Sequence, residues 1–457
     1  MKKIEDIYGA IEIPDNVMWG VNTQRSLENF SIGYEKMPEV FIESMLHLKK
    51  VAAQANKIRF TLEEEKADAI IEACNLILNQ DFMPYFPLSI WQTGSGTQTN
   101  MNVNEVVANI ANQIAPSLKI HPNDDVNCGQ SSNDVFPTSM HICSTLMLKR
   151  ELLPALLKME KTLLKLSEET KSIVKIGRTH LQDATPITFG QEVSGWSYMF
   201  TEGIKQLTAI LPYFQTLSIG ATAIGTGVNT YEQFSDDICH ILNENLQETF
   251  IPSENLFHAI STKDAFVFGH GALNAIAANA LKMANDIRWL ASGPRCGLGE
   301  ITLPVNEAGS SIMPGKVNPT QCEALTMVCV QVMANNSAIV IGSSQGNFQL
   351  NTFMPLIMHN TWQSIQLLSD ALNSFHDRCL YGLKVNQRKM NHNLTTSLMT
   401  ATYLNKKLGY DKTSEIVNEA YHTESNIKDI ILKHNIMSSE SFDDFFKYEE
   451  MIRPNKL

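Results

Sequence analysis

From about Phe136 to Leu166, apolar residues recur at spacings of three and four, with Leu146, Leu153, Leu156, Leu157, Leu163 and Leu164 in phase. That period predicts a helix far longer than the soluble average, kinked at Pro154. Comparable stretches follow at about Ile187–Leu217, Thr262–Leu290, Pro319–Ile341 and Pro355–Leu380. Several carry apolar residues around much of their circumference, as in Ala272–Ala284, which a helix does when it has neighbours on most sides. One subunit does not supply enough neighbours, so the pattern predicts helices shared between subunits of an obligate oligomer.

Ahead of these helices, residues 1–130 are mixed: a start punctuated by Gly, Pro and Asn, apolar periodicity over Val40–Leu78, then a polar stretch at Gln92–Asn104. After about Val385 the texture shifts to short, more polar helices. Strand-like alternation is sparse and no internal repeat is evident. The expectation is an all-α chain of three domains: a mainly helical segment 1–130, a central long-helix bundle 131–387, and a small C-terminal helical segment 388–457.

Composition narrows the class. The chain has 457 residues, 44% hydrophobic and 18% charged, which is ordinary for a folded protein and enough for a core without disulfides. A net charge of -12 offers no electrostatic footprint for nucleic acid or an anionic membrane, so an anionic ligand needs a local site. The eight cysteines are scattered, with no C-x-x-C pair and no Cys/His cluster at zinc spacing, which points to a reducing compartment. The N-terminus, Met1-Lys2-Lys3-Ile4-Glu5-Asp6, has neither the apolar core of a signal peptide nor the Arg-rich character of a transit peptide. No run of about 18 uninterrupted apolar residues predicts a membrane span. A cytoplasmic location is expected.

Three polar segments stand out. Thr93-Gly94-Ser95-Gly96-Thr97-Gln98-Thr99-Asn100 is the first. Gln130-Ser131-Ser132-Asn133-Asp134 is the second, and it sits where the Phe136 helix begins, so free backbone N–H groups make it an anion site. In the third, Gly309-Ser310-Ser311-Ile312-Met313-Pro314-Gly315-Lys316-Val317-Asn318-Pro319, Asn318 is expected to cap a helix with Pro319 at its first position. The second and third open directly into long helices; capping and turn chemistry is the plainer reading of the first two. The third is not a P-loop, since its glycines are one residue too far apart and Val317 stands where a magnesium-binding hydroxyl would be. A lysine between Pro314-Gly315 and Pro319 belongs instead to a loop that closes.

His180, in Gly177-Arg178-Thr179-His180-Leu181-Gln182-Asp183, lies in a polar turn placed just before a long helix, and histidine suits proton transfer near neutral pH. Glu323, in the first turns after Pro319, is suited to orient such a histidine. His121-Pro122-Asn123-Asp124-Asp125 lacks the helical spacing of a zincin and reads as a turn with an accessory anion contact. Gly225-Thr226-Gly227 lacks the third glycine of a dinucleotide fingerprint. No metal and no cofactor are expected.

The signature Gly-Ser-Ser-x-Met-x-x-Lys-x-Asn, met by Gly309 through Asn318, resembles that of the fumarase/aspartase superfamily of lyases. The resemblance runs from Trp91 through Asn351 at least, taking in Ser95-Gly96-Thr97, His121 to Asp124, Ser131-Ser132-Asn133, Thr179-His180, Gly220-Ala221-Thr222-Ala223 and Ser292-Gly293-Pro294-Arg295. His180 and Met313-Pro314-Gly315-Lys316 make it similar to class II fumarases rather than aspartases, which carry glutamine and alanine at the corresponding places.

The resemblance implies an all-helical, three-domain subunit whose long helices form a tetrameric core, with each active site drawing loops from three subunits. It implies reversible hydration of fumarate to L-malate. Ser310 would remove the C3 proton, and His180, paired with Glu323, would handle the departing water. Lys316 and Asn318 would stabilise the aci-carboxylate. Thr97, Thr179, Ser132 and Asn133 would bind carboxylates and water, with Ser95, Gly96, Ser131 and Ser311 alongside. His121, Pro122, Asn123 and Asp124 would form an accessory dicarboxylate site, beside which this chain departs from the pattern by carrying Cys128-Gly129. The rival readings are an ammonia-lyase acting on aspartate and a catalytically silent helical scaffold.

Overall fold

The computed structural model describes residues 1–6 and 8–454. Helices dominate, and the long ones fall close to the expected spans: Phe189–Phe214, Asp264–Leu290, Thr320–Ser343 and Met354–Phe375. The Phe136 region is a helix Ser132–Met147, a π-turn Leu148–Leu152 and a second helix Leu153–Glu169. Pro154 has no N–H to donate, and the path adapts with the wider turn just before it, where Leu153 N–H reaches back to Leu148 O. Among the described residues strands are few and short, forming four two-stranded sheets.

Contacts divide the chain into two units. The first comprises Met1–Pro154, Ile204–Ala277 and Val328–Ser369. The helix Glu39–Ile58 supplies much of its core, with Phe41, Met45, Leu46, Leu48, Val51 and Ala52 fully buried, and Phe41 meets Phe136 at 4.7 Å between ring centroids. His270 Nδ1 lies 3.1 Å from Asn336 Oδ1 and its Nε2 lies 2.8 Å from Ser364 Oγ. Asn335 Nδ2 donates to the same Ser364 oxygen. A polar cluster inside an apolar bundle fixes helix register, because sliding any member strands a buried donor or acceptor.

The second unit comprises Ala155–Gly203, Ala278–Met327 and the chain from Asp370 on. Its hairpin pairs Val174–Thr179 antiparallel with Gln182–Thr188, with a bulge between Ile176 and Arg178. Towards the C-terminus, Leu404, Ile416, Ile430, Ile431 and Phe442 belong to a compact core made by short helices alone.

The helix Thr320–Ser343 is long and apolar enough to cross a membrane, with mean hydropathy 1.6 over its best window. Asn335 and Asn336 within it bond to groups of the neighbouring helices, so the segment also reads as one member of a packed bundle.

Two histidines, buried His270 and half-buried His141, make stability depend on pH. Burial pulls the pKa of His270 down to about 4, against a favourable bond to Asn336. Burial, joined by the charge of nearby Lys263, does the same to His141. With folded values below the unfolded 6.5, the unfolded chain binds more protons between pH 6.5 and 4, so stability complete above that window is lost as pH falls through it. Urea midpoints measured from pH 7 to pH 5 are expected to drop by the equivalent of roughly 2 kcal/mol per histidine. His270→Gln is expected to remove one histidine's share of that loss whatever other groups contribute, and an unchanged slope would contradict a neutral, buried His270.

Candidate active site

In the first unit the structure brings the first two polar segments together. The helix Thr97–Ile114 starts directly after Gly96, so this segment too opens into a helix. Gly96 has φ +72, and a Cβ there would sit 2.0 Å from the Phe136 ring; only glycine permits both the left-handed backbone and this approach. Ser95 Oγ and Thr97 Oγ1 are 2.8 Å apart. Asn100 Nδ2 donates to Ser132 Oγ at 3.0 Å.

The second segment is a capping box. Ser131 Oγ accepts from Asn133 N, and Asp134 Oδ1 accepts from Ser131 N at 2.9 Å. Asp134 does more than cap, since its Oδ2 also takes the backbone N–H groups of Gly220 and Thr222. Asn133 Nδ2 donates to Ala223 O, so the Gly220–Ala223 loop and the Ser131–Asn133 loop are clamped as one piece. Burial nevertheless pushes the fully enclosed Asp134 carboxyl up to about 7, against those backbone bonds.

His121, Pro122, Asn123 and Asp124 form the start of a single π-helical turn in the same unit. His121 Nδ1 accepts from Asn123 N and Asp124 N and stands 3.2 Å from Asp124 Oδ2. The ring's Nδ1 is thus occupied by its own turn.

The second unit holds the remaining candidates. His180 and Leu181 occupy the two central positions of the hairpin turn with φ +58 and +60. The helix that follows begins only at Phe189, so the expected turn before a helix is the tip of a β-hairpin. Two successive left-handed residues make a type I′ turn, which normally carries Asn-Gly; a His-Leu pair there stores strain of order 1 kcal/mol per residue. Strain of this kind persists where surrounding structure over-determines the backbone.

That structure is an ion cluster around Glu300. The carboxylate is fully buried and accepts from Arg178 through both oxygens, at 2.6 and 3.1 Å. Lys175, itself 1% exposed, lies 3.2 Å away, and Asn393 Nδ2 donates at 2.9 Å. Burial raises the Glu300 pKa, but Arg178, Lys175 and Asn393 together hold it below the usual carboxylate range. Both cations belong to the strand that ends at Thr179.

On the third segment, Ser310 Oγ accepts from Ile312 N at 3.2 Å and from Met313 N at 3.1 Å. Gly309 N donates to Lys316 O, closing the loop. Asn318 does not cap the next helix as expected: its Nδ2 donates to Gly309 O at 2.5 Å, and the first helical bond, from Glu323 N, goes to Pro319 O. A cap would accept through Asn318 Oδ1, but the helix begins only at Thr320, one residue too far on, and the side chain closes the loop through Nδ2 instead. Lys316 and Asn318 line a cleft of about 800 Å³ with Asn285, Arg288, Trp289 and Thr302.

Thr179, His180, Ser311, Lys316 and Glu323 are exposed. Among the described residues, His180 and Glu323 share no hydrogen bond or ion pair within the chain, and no group of three His, Cys, Asp or Glu side chains is placed to hold a metal.

The sequence motifs do not single out Glu300, Asn127 or Lys49, and they give Asn100 and Asp134 only as members of polar segments. Lys49 and Asn56 lie seven residues apart on the otherwise apolar stripe of the helix Glu39–Ile58, a signal that the helical period exposes. Glu300 follows a glycine turn and has no local signature.

The model of a family described as Lyase matches residues 9–334, and one described as Fumarase C C-terminus matches residues 401–453. The chain is 50% identical over 454 residues to the fumarate hydratase class II of Helicobacter pylori (strain J99), covering 98% of each. It is 47% identical over 453 residues to that of Bacillus subtilis (strain 168), again covering 98% of each. Its structure is similar to the crystal structure of a recombinant class II fumarase from Schistosoma mansoni, with TM-score 0.96, 37% identity and full coverage of both chains.

Glu300→Gln is expected to lower stability by about 3 kcal/mol, because it leaves half-buried Arg178 and buried Lys175 short of negative charge. Chemical denaturation measures this, and a change below about 1 kcal/mol would show that the hairpin does not depend on the cluster.

Proposed function

The chain belongs to the class II fumarases of the fumarase/aspartase superfamily, and from that premise we propose that it is a hydro-lyase interconverting fumarate and L-malate by anti addition and elimination of water. The observation that carries this reading is Ser310. A serine hydroxyl is a poor base because its alkoxide is costly, and two backbone N–H groups aimed at Oγ favour the charged form. Ser310 removes the C3 proton of malate. The electron pair moves into the adjacent carboxylate, giving an aci-carboxylate dianion, and Lys316 and Asn318 stabilise that developing charge. Asn318 commits one amide hydrogen to Gly309 O, which leaves the second for substrate.

His180, oriented by Glu323, then protonates the C2 hydroxyl so that it leaves as water, and activates water in the reverse direction. Thr97, Thr179, Ser132 and Asn133 hold the carboxylates, with Ser95, Gly96, Ser131 and Ser311 in support. His121, Pro122, Asn123 and Asp124 form an accessory dicarboxylate site.

We further infer a homotetramer with active sites shared between subunits. Exposed His180, Lys316 and Glu323, which make no side-chain pairing with one another, suit a site completed by partner chains. Eight cysteines, none of them in a disulfide among the described residues, suit a reducing, cytoplasmic setting, and the tricarboxylic acid cycle is the natural place for this reaction.

Proton NMR of the purified protein with fumarate in D2O, with and without ammonium, tests the reading. Singly deuterated malate formed without ammonium dependence is expected. Aspartate would assign the chain to the ammonia-lyases, and no product would leave a helical scaffold. His180→Asn keeps a residue that tolerates the left-handed turn while removing the imidazole. It is expected to lower turnover by roughly 100-fold or more with assembly intact, and near-normal turnover would refute the role.

A further inference from the structure

Lys49 is fully buried in the helix Glu39–Ile58, and its Nζ donates to two amide oxygens, Asn127 Oδ1 and Gln130 Oε1, each at 2.9 Å. Among the described residues no carboxylate bonds to it. Those two residues flank the entrance to the Ser131–Asn133 loop. Gln130 Nε2 in turn donates to Val126 O and Cys128 O, and Asn56 Nδ2 donates to Cys128 O, so the segment from Val126 to Gln130 is wrapped around the lysine.

The hydrogen-bond directions follow from the one group that has no choice. An ammonium only donates, so Lys49 obliges Asn127 to turn its oxygen inwards. Asn127 Oδ1 then also receives Asn100 Nδ2 at 3.1 Å and Asn104 Nδ2 at 3.2 Å. Three donors converge on one oxygen, while Asn100 Oδ1 and Asn104 Oδ1, both buried, have no partner. Leaving two buried amide oxygens unpaired is costly, and reversing either amide would set oxygen against oxygen. The second N–H of Asn100 goes to Ser132 Oγ. Because that oxygen already accepts, the Ser132 hydroxyl hydrogen stays free to be donated outwards.

We propose that Lys49 is a positioning residue for the substrate carboxylate, fixing through Asn127 and Asn100 the direction in which Ser132 donates and setting a buried positive charge behind the loop that receives a dianion. The inference rests on the function proposed above. Its charge fits the rest of the site: burial draws the ammonium down to about 7, and the nearby Asp134 charge opposes that, so an anion arriving at the loop favours the protonated amine.

The test uses the full-length protein with fumarate, L-malate and succinate, a saturated dicarboxylate competitor. Lys49→Met removes both the charge and the directing donor. Asn127→Asp keeps the lysine but places a carboxylate on it, cancelling the charge while preserving an acceptor for Asn100. In both, KM for each substrate and the inhibition constant of succinate are expected to rise at least tenfold while kcat changes less than threefold, because the carboxylate is held equally in ground and transition states. Lys49→Arg, which keeps the charge, is expected to lie nearest the wild type. If Lys49→Met does not fold, Asn127→Asp decides. Constants within twofold of wild type in a folded Lys49→Met or Asn127→Asp would overturn the role of Lys49 alone. A wild-type chain that does not hydrate fumarate would overturn both this inference and the function on which it rests.

Discussion

A carboxylate withdrawn from water must be given donors on every side, and this requirement organises both groups of candidate residues. In one unit the buried carboxylate is Asp134, which gathers the N–H groups of Ser131, Gly220 and Thr222. In the other it is Glu300, which gathers Arg178, Lys175 and Asn393. Each is expensive to bury, and each is satisfied by groups drawn from distant parts of the sequence. A polar loop tied down in this way keeps its geometry without a regular element beneath it, as chemistry on a charged substrate requires.

The strained hairpin illustrates the consequence. His180 and Leu181 adopt backbone angles that neither prefers, and the cost is tolerable because the strand leading into them is held by two cations on one buried anion. The imidazole is thereby projected from a tip that is fixed in direction yet exposed. The Ser310 loop reaches a similar end by other means: its backbone amides turn inwards onto the hydroxyl, and Asn318 is diverted from capping a helix to closing the loop.

Much of the architecture could be read from the sequence, since long helices announce themselves through a 3.6-residue period that tertiary context seldom overrides. The limits of the Asp264–Leu290 and Met354–Phe375 helices fall near their expected starts for that reason. The Val174–Thr188 hairpin was not legible: its strands are short and bulged, and the His-Leu turn lacks the Asn-Gly signal that marks such turns. Candidate residues such as Ser310, Lys316 and His180 stood out because their local motifs are distinctive. Glu300 and Lys49 did not, because their roles arise from partners far away in sequence, some more than a hundred residues distant. Charged residues on a buried face are the trace such roles leave, and they become informative only once the helix phase is known.

In the proposed mechanism the active site is completed between subunits, with His180 and Lys316 of different chains serving one substrate. Co-expression of His180→Asn and Lys316→Ala chains, followed by isolation of mixed tetramers, measures this directly. Each variant alone is expected to be nearly inactive, whereas mixed tetramers should recover roughly a quarter of wild-type activity, because symmetric assembly rebuilds some sites from two intact contributions. Mixed tetramers no more active than the single variants would contradict the claim and place both residues in a site belonging to one chain.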